Sequence, residues 1–112
     1  MHHAQQSIDG VFRALSDPTR RHVLEQLSKR ASSVSQLAAP FAMALPSFVE
    51  HMKVLEGSGL VRSKKVGRVR TYELVPGRLK LAETWLSQQR EFWERRLNQL
   101  DKYLIELKER QT

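Results

Sequence analysis

A chain of 112 residues with 19 Lys and Arg against 12 Asp and Glu is one domain by size, able to bury about two-thirds of its unfolded surface and too short for two cores. It has no cysteine, which excludes disulfides, thiolate metal sites and thiol catalysis together and is compatible with a reducing cytoplasm. No apolar run reaches the length of a membrane span, and Met1-His2-His3-Ala4-Gln5-Gln6 lacks the basic and apolar regions of a secretory leader, so neither insertion nor secretion is expected.

The net charge of +7 is unevenly placed. Residues 61–80 hold Arg62, Lys64, Lys65, Arg68, Arg70, Arg78 and Lys80 against Glu73 alone, a net of +6, whereas residues 1–60 carry +1 and residues 81–112 balance. A field so concentrated draws a polyanion to one place, as a nucleic-acid binder requires; a solvated basic surface or an acidic protein partner is the alternative.

In chain order, Ile8, Val11, Phe12 and Leu15 have the spacing of a short first helix, weakened by Gly10 in its middle. Asp17 can cap and Pro18 can open a second helix with Val23, Leu24 and Leu27 inward and Arg20, Arg21, Lys29 and Arg30 on its outside or ends. Ala31-Ser32-Ser33 reads as a turn or very short strand, and Ser33 with Gln36 forms a capping box for a third helix that Pro40 stops.

A fourth helix over residues 45–57 follows, with Pro46 at its opening, Gly59 just past its end, and Leu45, Phe48, Met52 and Leu55 on one stripe. Its opposite side carries Pro46, Glu50, Lys53 and Gly57, flanked by Ser47 and Val54, a slim polar face of the kind a DNA major groove admits. An ordinary amphipathic surface helix is the bland reading. Third and fourth helices together have the arrangement of a helix-turn-helix, although no glycine marks the turn.

Val61–Val66 and Val69–Val75 are rich in β-branched residues and meet at Gly67-Arg68, which predicts a β-hairpin with basic flanks. A hairpin after a helix-turn-helix is a winged arrangement, and the positive charge falls on the wing. Pro76-Gly77 then separates the hairpin from a last helix, Leu79 to Lys108, about 45 Å long at about 1.5 Å per residue. On it Leu86, Trp93, Leu97, Leu100, Leu104 and Leu107 form a coiled-coil-like seam that Trp85 and Phe92 widen. Such a stripe needs a partner, and a second copy is the simplest. The expected fold class is mostly α with a small β-hairpin: a winged helix-turn-helix with a long C-terminal dimerisation helix, all in one domain.

Several motifs are similar to a known family. Asp17-Pro18-Thr19-Arg20-Arg21, Pro40-Phe41, Met43, Leu45-Pro46, His51, Lys53-Val54-Leu55, Gly59-Leu60-Val61, Gly67-Arg68 and Tyr72-Glu73-Leu74 resemble, in order, the ArsR/SmtB family of bacterial winged-helix repressors. Trp85, Phe92-Trp93, Arg96-Leu97 and Leu100 resemble a non-metal subgroup of it. The resemblance implies a cytoplasmic, dimeric repressor on an inverted-repeat operator, with residues 8–78 as the DNA-binding core, the wing at about 61–75 and residues 79–108 as the dimerisation helix. It implies dimerisation through the first and last helices, which adds Ile8 and Phe12 to the seam residues Trp85, Leu86, Phe92, Trp93, Leu97, Leu100 and Leu104. Bases would face Ser47, Glu50 and Lys53, and the backbone would meet Lys64, Lys65, Arg68 and Arg70. His51 is read as a packing or phosphate-contacting side chain.

Departures from the family pattern bear on two points. Where metal-sensing members carry a cysteine pair, this chain reads Val34-Ser35-Gln36-Leu37-Ala38, and its last helix has no histidine, so neither metal site carries over and no metal or cofactor is expected. Ala44 and Leu45 offer no capping oxygen, which leaves the first N–H groups of the recognition helix to a DNA phosphate or to water. Glu50 either accepts from a cytosine amino group or is held by Lys53 or Ser47. No nucleophile elbow, P-loop or metal box supports catalysis, and the competing function is a winged-helix protein-interaction module using the last helix. A small-molecule effector is left unidentified.

Overall fold

The computed structural model describes residues 3–111, with side chains from Ile8 onward; His2 and the His3 side chain lie outside the described residues. The order is α1 (His3–Leu15), α2 (Pro18–Leu27), β1 (Ser32–Ser33), α3 (Val34–Ala38), α4 (Leu45–Gly57), β2 (Val61–Val66), β3 (Val69–Leu74) and α5 (Pro76–Arg110). Contacts divide the chain into a compact unit that runs to Ala82 and a second made of α5 from Glu83 onward.

The local signals act as the residue types dictate. Asp17 caps α2 by accepting from the Arg20 amide at 3.1 Å, with Pro18 in the first turn where its missing N–H costs nothing. Ser33 and Gln36 form a reciprocal capping box, the Gln36 amide donating to Ser33 Oγ at 3.2 Å and the Ser33 amide to Gln36 Oε1 at 2.9 Å. Ser32-Ser33 is also a strand, pairing Ser32 with Tyr72 and Ser33 with Thr71, so the hairpin becomes a three-stranded sheet in the order β1-β3-β2.

α4 ends in a Schellman motif: Leu60 N–H donates to Leu55 O at 3.2 Å and Gly59 N–H to Glu56 O at 3.0 Å. Gly59 has φ +80°, and a Cβ there would stand 2.8 Å from Arg78 Cγ. Gly59→Ala is therefore expected to cost about 1–2 kcal/mol, the left-handed penalty of an L-residue, read as a lowered denaturation midpoint at unchanged slope.

Phe48, Met52 and Leu55 of α4 meet Val11 and Ala14 of α1, Val23 and Leu27 of α2, Leu37 of α3 and Val61 and Tyr72 of the sheet in one core, which Leu60 and Ala82 complete. Packing of Val11 and Ala14 explains why Gly10 does not break α1. The structure corrects the sequence reading at three places. Leu45, assigned to the buried stripe, is 55% exposed, because as the first helical residue it leans toward the N-terminus, past the edge of the core. Pro76 and Gly77 do not separate hairpin from helix but are the first two residues of α5, proline being suited to a first turn by its preset φ. β3 stops at Leu74, and the Val75 amide instead donates to Leu60 O at 2.8 Å.

Candidate nucleic-acid interface

α4 is placed by its buried stripe, and the opposite side is left in solvent: Pro46, Ser47, Glu50 and Lys53 are all exposed. Its N-cap, Ala44, makes no side-chain hydrogen bond. Glu50 is held by Lys53, Oε1 to Nζ 3.2 Å, with both side chains 70% exposed, so the pair is worth little and opens readily to a ligand. His51 is turned away from this face and only 23% exposed; its Nδ1 lies 3.0 Å from Arg20 Nη1 and 3.7 Å from Asp17 Oδ2.

The wing is organised by its register. Directly opposed residues share a face, which puts Val61–Leu74, Ser63–Tyr72 and Lys65–Arg70 on one side and Arg62–Glu73, Lys64–Thr71 and Val66–Val69 on the other. The base of the first face is buried through Val61 and Tyr72, so its outer end, Lys65 and Arg70, lies on the side of the sheet that covers the core. Lys64 lies on the other. At the tip Gly67 has φ +62° and Arg68 a negative φ, a two-residue turn with the positive-φ residue first. Arg62 is spent on Glu73, and Arg70 donates to Ser63 Oγ at 2.7 Å. Lys64, Lys65 and Arg68 make no hydrogen bond or ion pair among the described residues.

Lys65 opposite Arg70 is a like-charged cross-strand pair, an arrangement that costs folding free energy. Lys53 of α4 meets Arg68 and Arg70 around one half-open cleft of about 600 Å³, whose walls include Val49, Tyr72 and the Ser33–Ser35 start of α3. Burial, aided by the Glu56 charge, raises the Tyr72 pKa above its ordinary value, so its hydroxyl stays neutral. The sequence reading missed Val49, Ser33, Ser35 and Tyr72 as cleft walls; only the pairing of β1 with β3 brings them together. Arg21 is exposed and Arg20 half-buried at the start of α2, in keeping with the outside or ends expected of them, and their guanidiniums reach back to the carbonyls that end α1: Arg20 to Arg13 and Ala14, Arg21 to Leu15 at 2.7 Å.

At the α1–α2 corner burial works to raise the Asp17 pKa, but the Arg20 amide, the His51 and Arg20 charges and the Thr19 amide bring it below its ordinary 3.8. A carboxyl depressed on folding stabilises above its unfolded pKa and loses that contribution as pH falls through the folded value. Asp17→Asn, which keeps the cap, should thus be less stable than the wild type at pH 7, and urea midpoints should converge below about pH 4.

Along the second unit Trp93, Leu97, Leu100 and Leu104 are 50–61% exposed, with Trp85 and Phe92 somewhat less so. Phe92 meets Trp93 edge-on at 5.9 Å and carries the Arg96 guanidinium over its ring, 5.2 Å from the centroid. Tyr103, about five turns after Trp85, joins this stripe and was missed because the leucine spacing passes over it. In the first unit Ile8 and Phe12 are half-buried. Among the described residues there is no His/Cys/Asp/Glu group able to hold a metal, and no helix is long and apolar enough to cross a membrane.

A helix-turn-helix followed by a basic wing around a shared cleft defines the class, a winged helix-turn-helix DNA-binding protein. Residues 15–64 match the family described as a helix-turn-helix domain. The HTH-type transcriptional regulator Rv2034 of Mycobacterium tuberculosis is 35% identical over 81% of this chain and 82% of its own length. The crystal structure of an ArsR family transcriptional regulator is 49% identical at TM-score 0.77, covering 80% of this chain and 93% of that one. An ArsR-like transcriptional regulator from Rhodococcus sp. RHA1 is 32% identical at TM-score 0.70, covering 86% and 91%. The chain belongs to the ArsR family of transcriptional regulators. Also similar is the transcriptional repressor SdpR of Bacillus subtilis, 28% identical over 70% of this chain and 88% of its length.

Proposed function

We propose that this regulator is a cytoplasmic homodimeric repressor that binds an inverted-repeat operator, with α4 in the major groove and the wing on the backbone. The whole chain acts as one module, core and wing reading DNA and α5 pairing the copies. The observation that carries this reading is the Lys65–Arg70 opposition: two cations are held face to face, at a cost to folding, on the side of the wing that meets α4. A phosphate backbone relieves that repulsion, and Lys53 and Arg68, around the cleft that Arg70 also lines, extend the positive surface.

Phosphate contacts supply affinity, and specificity comes from Ser47, Glu50 and Lys53 on α4. Glu50→Gln is expected to relax base preference at one operator position by ~1–3 kcal/mol, measured by competition among duplexes that differ there; an equal loss on every sequence would end the readout assignment. Two-fold symmetry sets half-site centres about one helical turn apart, or a multiple of it.

No metal, cofactor or catalytic step enters this reading, and its place in the family is the non-metal subgroup; stoichiometric zinc in chelator-washed protein would contradict that. The test of the main reading is selection of bound duplexes from a random pool, repeated along a salt series. An enriched palindrome whose affinity falls steeply with salt supports it. The exposed aromatic stripe of α5 favours a second reading, a protein-interaction module, which the absence of any enrichment would select.

A further inference from the structure

One side chain joins the first helix to the recognition helix. The half-buried Arg20 directs three guanidinium nitrogens to three acceptors: Nε to Ala14 O at 2.8 Å, Nη2 to Arg13 O at 2.9 Å, and Nη1 to His51 Nδ1 at 3.0 Å. Both carbonyls lie in the last turn of α1; Arg13 O also accepts from the Ser16 amide at 3.2 Å and from Ser16 Oγ at 2.6 Å, so Arg20 adds to the cap on α1 while it grips α4. Asp17 Oδ2, which accepts from the Arg20 amide, lies 3.7 Å from the same histidine nitrogen. On α4 itself, Glu50 and Lys53 pair with each other in solvent.

A guanidinium has no acceptor, so the Nη1–Nδ1 contact is a hydrogen bond only while Nδ1 carries a lone pair, with the ring proton on Nε2. A proton on Nδ1 would set N–H against N–H, repel Arg20 and turn the imidazolium toward Asp17. α4 would exchange an anchor on the α1–α2 corner for a different one.

We propose that Arg20 is a positioning residue for DNA binding, which fixes α4 through the unprotonated Nδ1 of His51, so that protonating His51 loosens the recognition helix and weakens binding. This rests on the reading of α4 as the DNA-facing helix. Its sign is diagnostic: an added positive charge beside a polyanion would by itself strengthen binding as pH falls, whereas loss of the anchor weakens it.

The test uses the full chain and a duplex carrying the selected palindrome, in buffers from about pH 8 to about pH 5.5. Wild-type affinity should fall about tenfold, the size of one charge-assisted hydrogen bond. His51→Gln, whose amide oxygen accepts from Arg20 without titrating, should show a flat affinity profile over the same span. Arg20→Met should bind about tenfold more weakly at pH 8 while melting well above the assay temperature. Ring-nitrogen NMR should find the Nε2–H tautomer of His51, and amide exchange should find α4 less protected in Arg20→Met. A Nδ1–H tautomer, a wild-type pH profile in His51→Gln, or wild-type affinity in folded Arg20→Met would each overturn the proposal. If Arg20→Met does not fold, the His51→Gln profile decides. If the wild type selects no DNA, the reading of α4 fails on its own, and tautomer and amide exchange still decide whether the anchor exists.

Discussion

Replacing Lys65 with glutamate is expected to weaken binding to duplex DNA by about a hundredfold at low salt while making the fold more stable by about 0.2–1 kcal/mol. The two effects share one cause. Lys65 faces Arg70 across the hairpin, so glutamate converts a repelling pair into an attracting one. The same exchange removes a cation from the side proposed to meet DNA and adds an anion there, so the slope of log affinity against log salt should become shallower by about one to two. Anisotropy titrations along a salt series measure the first effect and chemical denaturation the second. Loss of stability together with undiminished affinity would show that the wing does not face DNA.

Leu100→Asp is expected to abolish pairing of the chains and to lower affinity for a palindrome by about 10²–10⁴, the avidity that two linked half-site contacts contribute. Leu100 is 50% exposed within the stripe that runs from Trp85 to Leu107, and a carboxylate there would have to be desolvated in any seam between two copies. The core of the first unit contains no residue beyond Ala82, so its folding should be untouched. Sedimentation equilibrium at micromolar concentration should show a wild-type dimer and a variant monomer. A monomeric wild type would remove the dimer from the proposed function.

Much of the first unit was legible from residues alone because its signals are local. Asp17-Pro18 and Ser33-x-x-Gln36 satisfy backbone donors within one turn, Gly59 and Gly67 occupy positive φ where side chains are strained, and the three- and four-residue apolar steps orient α4. Localisation of the +6 charge on residues 61–80 is likewise a property of the chain. These features sufficed for a winged helix-turn-helix and for the outward face of α4.

Tertiary structure alone decided how those parts combine. Ala31-Ser32-Ser33 by itself leaves a turn and a very short strand open, and only the pairing of Ser32-Ser33 with β3 decides for the strand and joins the start of α3 to the cleft. Register, set by a long-range match of strands, sorted Lys65 and Arg70 from Lys64 and made like charges direct neighbours. Arg20 and His51 are 31 positions apart, and each helix by itself suggests only an outside position for Arg20 and a packing or phosphate-contacting role for His51. Their contact exists because α1 ends where α2 begins and α4 crosses that corner. A periodic pattern says which way a side chain points; what it meets there depends on which elements the core brings together.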